Sequence, residues 1–237
     1  MSNGRGGVAA AGGVRYIVGM KVVSFRICPF VQRVTALLEA KGVDYDVEFI
    51  SLSDKPRWFL DISPNGQVPV LVTDQGRALF ESDAIVEYLE EVYPPLEPRL
   101  SPEDRALNRA WSTLAVKNYL VQCGAQRSAD AATLEERSGR LGRAFDTMER
   151  HLGDSRFFGG DSVGMVDIAW LVLLHRADIV RRRSGYDFVG ARVKMKRWQE
   201  EILASGLARR SVADDFEEAF ARFYLSDETF LGGLRPQ

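Results

Sequence analysis

Soft metal ligands are scarce in this sequence. In 237 residues it holds two cysteines, Cys28 and Cys123, and two histidines, His151 and His175. So few donors argue against a zinc or iron–sulfur centre, and no metal is expected. Two cysteines make no disulfide scaffold either, and a reducing, cytoplasmic setting is the natural expectation. No apolar run reaches the roughly 18 residues that a membrane helix requires, so no membrane partner is expected. An excess of charge of one sign is missing too: 31 basic residues face 33 acidic ones. That balance leaves no electrostatic footprint for nucleic acid. The densest basic run, Arg181, Arg182 and Arg183, stands near Asp178 and Asp187 and reads as a solvated helix end. Residues 1–19 are rich in Gly and Ala and contain no acid. They lack the charged-then-apolar order of a secretory leader and read as a flexible extension.

What the sequence does have is a change of character near residue 94. Before it, strand and helix signals alternate. The apolar run 20–25 suits a buried strand. After it, Phe30, Val34, Leu37 and Leu38 recur at helical spacing. Pro29 fits the first helical position, where its missing N–H costs nothing, so Cys28 falls at the N-cap. Gly42 is a natural end for that helix. A second strand is expected over 43–50 and a short helix or turn over 56–60. Pro64-Asn65-Gly66 signals a turn, a strand-like run over 67–72 follows, and Ala78–Phe80 makes a fourth strand. Ser82 is a good N-cap for a helix through Ile85, Tyr88, Leu89 and Val92.

Three prolines in five positions, Pro94, Pro95 and Pro98, then mark a linker over 94–100. Beyond it every signal is helical. Ser101-Pro102-Glu103-Asp104 opens one helix, with an end near Gly124. Thr133-Leu134-Glu135-Glu136 reads as a capping box, opening a second helix that ends at Gly153. The stretch 165–174 is apolar almost all round, which marks a central buried helix. Two amphipathic helices follow, around Trp198 and Ile202 and around Phe216 and Phe220. The expected fold class is therefore α/β plus all-α: a βαβ…ββα unit over 20–93, the linker, and an all-helical domain over 101–237.

Chemistry converges on Cys28. A lone cysteine is often a small buried hydrophobe. A thiol at a helix N-terminus, however, sits near unpaired N–H donors and the positive end of the helix dipole. Such a position can lower a thiol pKa to roughly 3.5–7.5, and Arg26 and Arg33 stand nearby in sequence. The segment is Cys-Pro-Phe-Val, not a Cys-x-x-Cys dithiol, so its mixed disulfide needs a second thiol from solution. Glutathione is the obvious candidate.

Two further elements lie downstream. Pro69 inside a strand-like run marks either an edge strand or a cis turn that exposes the Val68 backbone to a ligand. Glu81-Ser82 at a helix start makes either a simple cap or a site for an α-amino acid end group. In the second case the N–H groups and hydroxyl take the carboxylate, and Glu81 takes the amine.

Cys28-Pro29-Phe30, Lys55-Pro56, Val68-Pro69 and Glu81-Ser82, in this order and spacing, resemble the glutathione transferase superfamily, and its cysteine-type omega class in particular. The resemblance covers residues 20 to about 225. It implies a thioredoxin-like βαβαββα domain, an all-helical domain, an active site between them, and a homodimer. It also implies that Cys28 faces the glutathione sulfur, with Phe30 lining the sulfur pocket. Lys55 would bind the glycyl carboxylate, and Val68, before a cis Pro69, would pair its backbone with the cysteinyl part. Glu81 and Ser82 would hold the γ-glutamyl end. Gly160-Asp161 and Asp167-Ile168 match the family's start of its central helix, but Gly164 stands where a Ser or Thr cap is expected.

The function expected is glutathione-dependent thiol transfer or reduction through a Cys28 mixed disulfide, with glutathione as co-substrate. The second substrate would be a small electrophile or disulfide, and dehydroascorbate reduction follows from the same chemistry. Classical conjugation is the second reading, disfavoured because a cysteine stands where a Ser or Tyr hydroxyl would assist. A non-catalytic binding module, or a protein like the chloride intracellular channels, is the third. Arg26, Gln32 and Arg33 interrupt the apolar segment that membrane insertion would need. The co-substrate pocket is expected from the helical domain, with Trp111, Tyr119 and Trp170 as candidate walls. Cys123 reads as structural or incidental.

Overall fold

The computed structural model describes residues 19–234. The expected extension over 1–19 therefore lies outside the described residues, apart from Gly19. The chain first builds β1 (Met20–Ser24), α1 (Pro29–Lys41) and β2 (Tyr45–Phe49), with β1 and β2 parallel. Next come α2 (Arg57–Ile62), β3 (Val70–Val72), β4 (Ala78–Phe80) and α3 (Ser82–Val92). The strand order is β2-β1-β3-β4, and β3 runs antiparallel to both its neighbours.

Strand periodicity sorts the sheet's side chains onto two faces. Met20, Val22 and Leu71 share one apolar cluster with Leu37 and Leu38 of α1 and Ile85 and Leu89 of α3. Val23, Ile50 and Val70 form a second cluster with Phe59 of α2. Phe59 is fully buried, so its loss would cost about 3–5 kcal/mol. Helix α1 begins at Pro29 and stops at Gly42, which adopts φ 65. That left-handed geometry is cheap for glycine, and its N–H closes onto Glu39 and Leu38 carbonyls.

The remaining elements are α4 (Pro102–Gln126), α5 (Ala131–His151), α6 (Met165–Ser184), α7 (Val193–Ala204), α8 (Leu207–Arg210), α9 (Phe216–Tyr224) and α10 (Phe230–Gly233). Helix α6 runs through the middle, buried on nearly every side. Helix α4 packs along it through polar handles as well as apolar ones. Tyr119 Oη donates to the Ala169 carbonyl at 2.7 Å, and Gln122 Nε2 to Leu173 at 2.9 Å.

Three helix boundaries after residue 100 differ from the sequence reading. Helix α5 does not begin at a Thr133 capping box. It starts at Ala131, capped by Asp130, whose carboxylate accepts from the Thr133 N–H at 2.8 Å and also holds the Thr133 hydroxyl. An aspartate three residues earlier made the stronger cap. Helix α4 continues past Gly124 to Gln126, and α5 ends at His151 rather than Gly153.

Asp167, in the first turn of α6, anchors the helical part. Its carboxylate accepts from the N–H groups of Gly164 (2.8 Å) and Phe158 (2.9 Å) and from Trp198 Nε1 (2.6 Å). Burial nevertheless pushes its pKa up to about 6, with Glu97 adding to the rise.

Candidate active site

Cys28 occupies the N-cap of α1, with Pro29 at the first helical position. Its extended backbone places the thiol at the open end of the helix, and its carbonyl accepts from the Gln32 N–H at 3.2 Å. The sulfur lies 4.0 Å from the Val68 carbonyl oxygen, where the β1–α1 turn meets the loop before β3. The Val68–Pro69 peptide bond is cis.

A small cleft of about 80 Å³ beyond Val68 brings together most of the residues singled out in sequence, but Cys28 itself is not part of its lining. Phe30, Val68, Pro69, Glu81 and Ser82 line it. Lys55 stands just beyond, with Nζ 3.6 Å from where a Cβ on Gly66 would lie. Ser63, Asn65, Gln67 and Phe80 complete the wall, and the sequence reading gives none of the four a role in the site. The only signal was the turn dipeptide Asn65-Gly66. The structure adds that Ser63 Oγ ties the two ends of this loop together, donating to the Gln67 carbonyl and accepting its N–H. Asn65 Nδ2 also donates to Glu81 Oε1 at 3.0 Å.

Ser82 is the first residue of α3, not its cap. Glu81 takes the cap position with φ 67, a left-handed conformation that a side chain adopts only under strain. This turns the free N–H groups of the first α3 turn and the Ser82 hydroxyl toward one end of the cleft. An anionic group fits there, and Glu81 stands beside it for a cation.

Cys28 instead lines a larger cleft of about 430 Å³. Phe25, Arg26 and Gln32 supply one wall, and Ser211 and Phe216 of the helical part supply the other. The expected aromatic walls are elsewhere. Trp170 and Tyr119 are fully buried core, and Trp111 stacks on His151 at 4.1 Å. Tyr119 does touch the site indirectly, edge-on to Phe30 at 5.4 Å.

The electrostatics of Cys28 correct one expectation. Its pKa is raised, not lowered, because burial outweighs everything that favours the thiolate. No N–H caps the sulfur at hydrogen-bond distance, although those of Val31 and Phe30 still pull the pKa down. The sequence neighbours do not help as expected, since each has its own acid. Arg26 is paired with Asp215, and Arg33 with Asp83. The cation that acts on Cys28 is instead Arg176, from α6.

Comparison with known proteins agrees with this geometry. Residues 27–92 match the family profile "Glutathione S-transferase, N-terminal domain", and residues 131–201 match "Glutathione S-transferase, C-terminal domain". Rat glutathione S-transferase omega-1 is 33% identical over 198 residues, covering 78% of this chain and 79% of the rat protein. This chain belongs to the glutathione S-transferase superfamily. Within it the chain is omega-like. Arabidopsis thaliana glutathione S-transferase DHAR2 is 36% identical over 155 residues, covering 64% of this chain and 68% of that protein. Among solved structures, glutathione transferase Omega 3C from Trametes versicolor superposes with a TM-score of 0.70 at 24% identity. It spans 83% of this chain and 90% of its own, and it establishes the shared fold.

Proposed function

We propose that this omega-like transferase is a glutathione-dependent thiol transferase or reductase working through Cys28. The observation that carries the reading is the position of that thiol, at the N-cap of α1 and 4.0 Å from the carbonyl of Val68 beside a cis proline. A hydroxyl there would only stabilise a glutathione thiolate; a thiolate can attack a glutathionyl disulfide and carry the glutathionyl group itself.

The chemistry balances as two displacements. The Cys28 thiolate attacks the glutathione sulfur of a mixed disulfide R–S–SG, forming a Cys28–glutathione disulfide. The leaving thiolate takes a proton and departs as RSH. A second glutathione thiolate then attacks the bound glutathione sulfur, releasing oxidised glutathione and the Cys28 thiolate. For a quinone-like or diketone substrate, two reduced glutathiones supply the two electrons and two protons and leave as oxidised glutathione.

Residue roles within the cleft follow from their positions. Ser82 and the first N–H groups of α3 would take the γ-glutamyl carboxylate, and Glu81 the adjacent ammonium. Val68 would pair with the central residue, Phe30 would border the sulfur, and Lys55 would reach the glycyl carboxylate. The 430 Å³ cleft is the natural seat for the small electrophile or disulfide. We further propose a division at 94–100 between residues 20–93 and 101–237, a homodimer, and a cytoplasmic location. Among the described residues no helix is long and apolar enough to cross a membrane.

The test is direct. Incubation with glutathione disulfide followed by intact mass measurement should show one added glutathionyl group, reversed by glutathione. The Cys28→Ser protein should gain no mass and lose thiol transfer while still binding glutathione. Thiol transfer unchanged in Cys28→Ser would overturn the reading.

A further inference from the structure

Arg176 is fully buried and carries a charge that no carboxylate neutralises. Its exposure is 0%, and among the described residues no acid lies within ion-pair distance. A buried, unpaired cation is costly to keep, since several kcal/mol of hydration are lost per ion. Its neighbours are instead groups that are neutral until they lose a proton: Cys28, Cys123, Tyr119 and Tyr224. Its Nε has no partner at all.

The contacts it does make bracket Cys28. Nη2 donates to the carbonyl of Ile27 at 3.1 Å, the residue immediately before the thiol. Nη1 donates to Gln32 Oε1 and to the Val172 carbonyl. Gln32 is the residue whose N–H closes on the Cys28 carbonyl. Because Gln32 spends its oxygen on Arg176, its Nε2 faces His175 Nδ1 at 2.9 Å. His175 therefore accepts at Nδ1 and is neutral, and burial pushes its pKa down to about 3. It adds no second charge.

We propose that Arg176 is a positioning residue for Cys28 and supplies the uncompensated positive charge that its thiolate requires. The proposal rests on Cys28 being the reacting thiol. The charged and titratable groups around that thiol divide cleanly. Arg26 from the preceding loop and Arg33 from α1 are neutralised by Asp215 and Asp83. Tyr224 of α9 is held protonated far above neutral pH by burial. Arg176 alone of these cations remains to meet a negative sulfur. Fixed in place by two backbone carbonyls and Gln32, it needs no rearrangement when the charge forms.

The experiment reads thiol acidity without glutathione, so its failure is distinct from failure of the thiol-transfer reading. In a Cys123→Ser background, the rate of Cys28 alkylation by iodoacetamide is followed against pH for the parent, Arg176→Met and Arg176→Lys. Methionine should raise the midpoint by about one pH unit, cutting the thiolate fraction at pH 7 tenfold. The more basic thiolate recovers part of that, for a net loss of about threefold in rate. Lysine should hold the midpoint near the parent's. A methionine profile that superimposes on the parent's, with only a lower melting temperature, would make Arg176 structural and overturn the proposal. A second measurement needs no substitution and covers the case in which methionine does not fold. Anionic iodoacetate, relative to neutral iodoacetamide, should react faster with Cys28 than with free glutathione. An equal or lower ratio would also overturn the proposal.

Discussion

Glu97 puts its carboxylate where a side chain on Gly164 would stand. A Cβ at Gly164 would lie 2.6 Å from Glu97 Cδ and within 2.8 Å of both its oxygens. From that place Glu97 Oε2 accepts the Met165 N–H at 3.0 Å, at the first turn of α6, while Oε1 accepts from Asn108 Nδ2. The central helix is thus capped by a residue of the proline-rich connection, not by its own N-cap. A carboxylate near the positive end of a helix is stabilising, and here it also ties residues 94–100 to the helical part. The glycine at 164 is not a weak cap. It is the space that the borrowed cap needs.

This gives a prediction with a change of sign. Glu97→Ala should destabilise the protein by about 1 kcal/mol, the usual cost of a lost cap. Gly164→Ser in the otherwise unchanged protein should also destabilise, by up to about 1 kcal/mol, because its Cβ forces the glutamate carboxylate off the Met165 N–H. In the Glu97→Ala background the same serine should stabilise, since the space is open and its hydroxyl can cap. Chemical denaturation of the two single variants and the double one decides it. Additive losses would mean that the two residues do not share one site.

Asp167 gives a pH dependence whose sign can be worked out. Its folded pKa, about 6, exceeds the roughly 3.9 of an unfolded aspartate. Between those values the folded chain holds a proton that the unfolded chain has lost. Stability from this group is therefore complete below about pH 4 and is lost as pH rises through 6. Asp167→Asn should be less stable at every pH, because one amide N–H would then face the Gly164 or Phe158 donor. Its stability curve between pH 4 and 6 should also lack a fall on the order of 2–3 kcal/mol. Denaturant midpoints at several pH values, parent against variant, measure the difference.

Much of this was legible in the chain, and what was not follows a pattern. Cys28 at the N-cap, Pro29 after it and Gly42 at the end of α1 are local rules, readable from a few adjacent residues. Glu81 and Ser82 were found as a pair but assigned the wrong positions, because a positive φ on a glutamate has no sequence signal. Thr133 reads as a cap because Thr133-x-x-Glu136 fits the capping-box pattern, whereas the cap is Asp130, which accepts the Thr133 N–H. Long-range partners were invisible. Nothing near Cys28 in sequence announces Arg176, 148 positions later, and nothing near Gly164 announces Glu97. Arg26 and Arg33 looked like the activating charges only because the acids that neutralise them lie far along the chain or on another helix.

The acidity of Cys28 is the next expectation. Burial raises its pKa above the ordinary thiol value in the free protein, against the pull of Arg176 and the α1 N–H groups. Alkylation by iodoacetamide should therefore keep accelerating as pH rises past 8.5, the ordinary thiol value. Thiol transfer should rise with pH over the same range, wherever the Cys28 step limits turnover. A plateau reached below about pH 7 would show that the helix N-terminus dominates after all.

Glutathione should be held from both ends. Ser82 is 6% exposed, in the first turn of α3, at one end of the cleft. Lys55 lies outside its lining, with Nζ near Gly66. Hydrogen bonds to charged groups contribute about 1.5–3 kcal/mol, so Ser82→Ala should weaken glutathione binding roughly tenfold or more. Lys55→Ala should weaken it less, because its ammonium stays partly hydrated and an exposed ion pair contributes about 0.2–1 kcal/mol. The two losses should nearly add, since the groups grip distant parts of one ligand and share no partner. Raising the salt concentration should erode the Lys55 contribution and leave that of the buried Ser82 largely intact. Titration calorimetry of the two single variants and the double variant, at low and high salt, separates these terms. If neither single change altered affinity by more than about twofold, the tripeptide would not lie along this cleft, and Cys28 would have to meet glutathione from the 430 Å³ side instead.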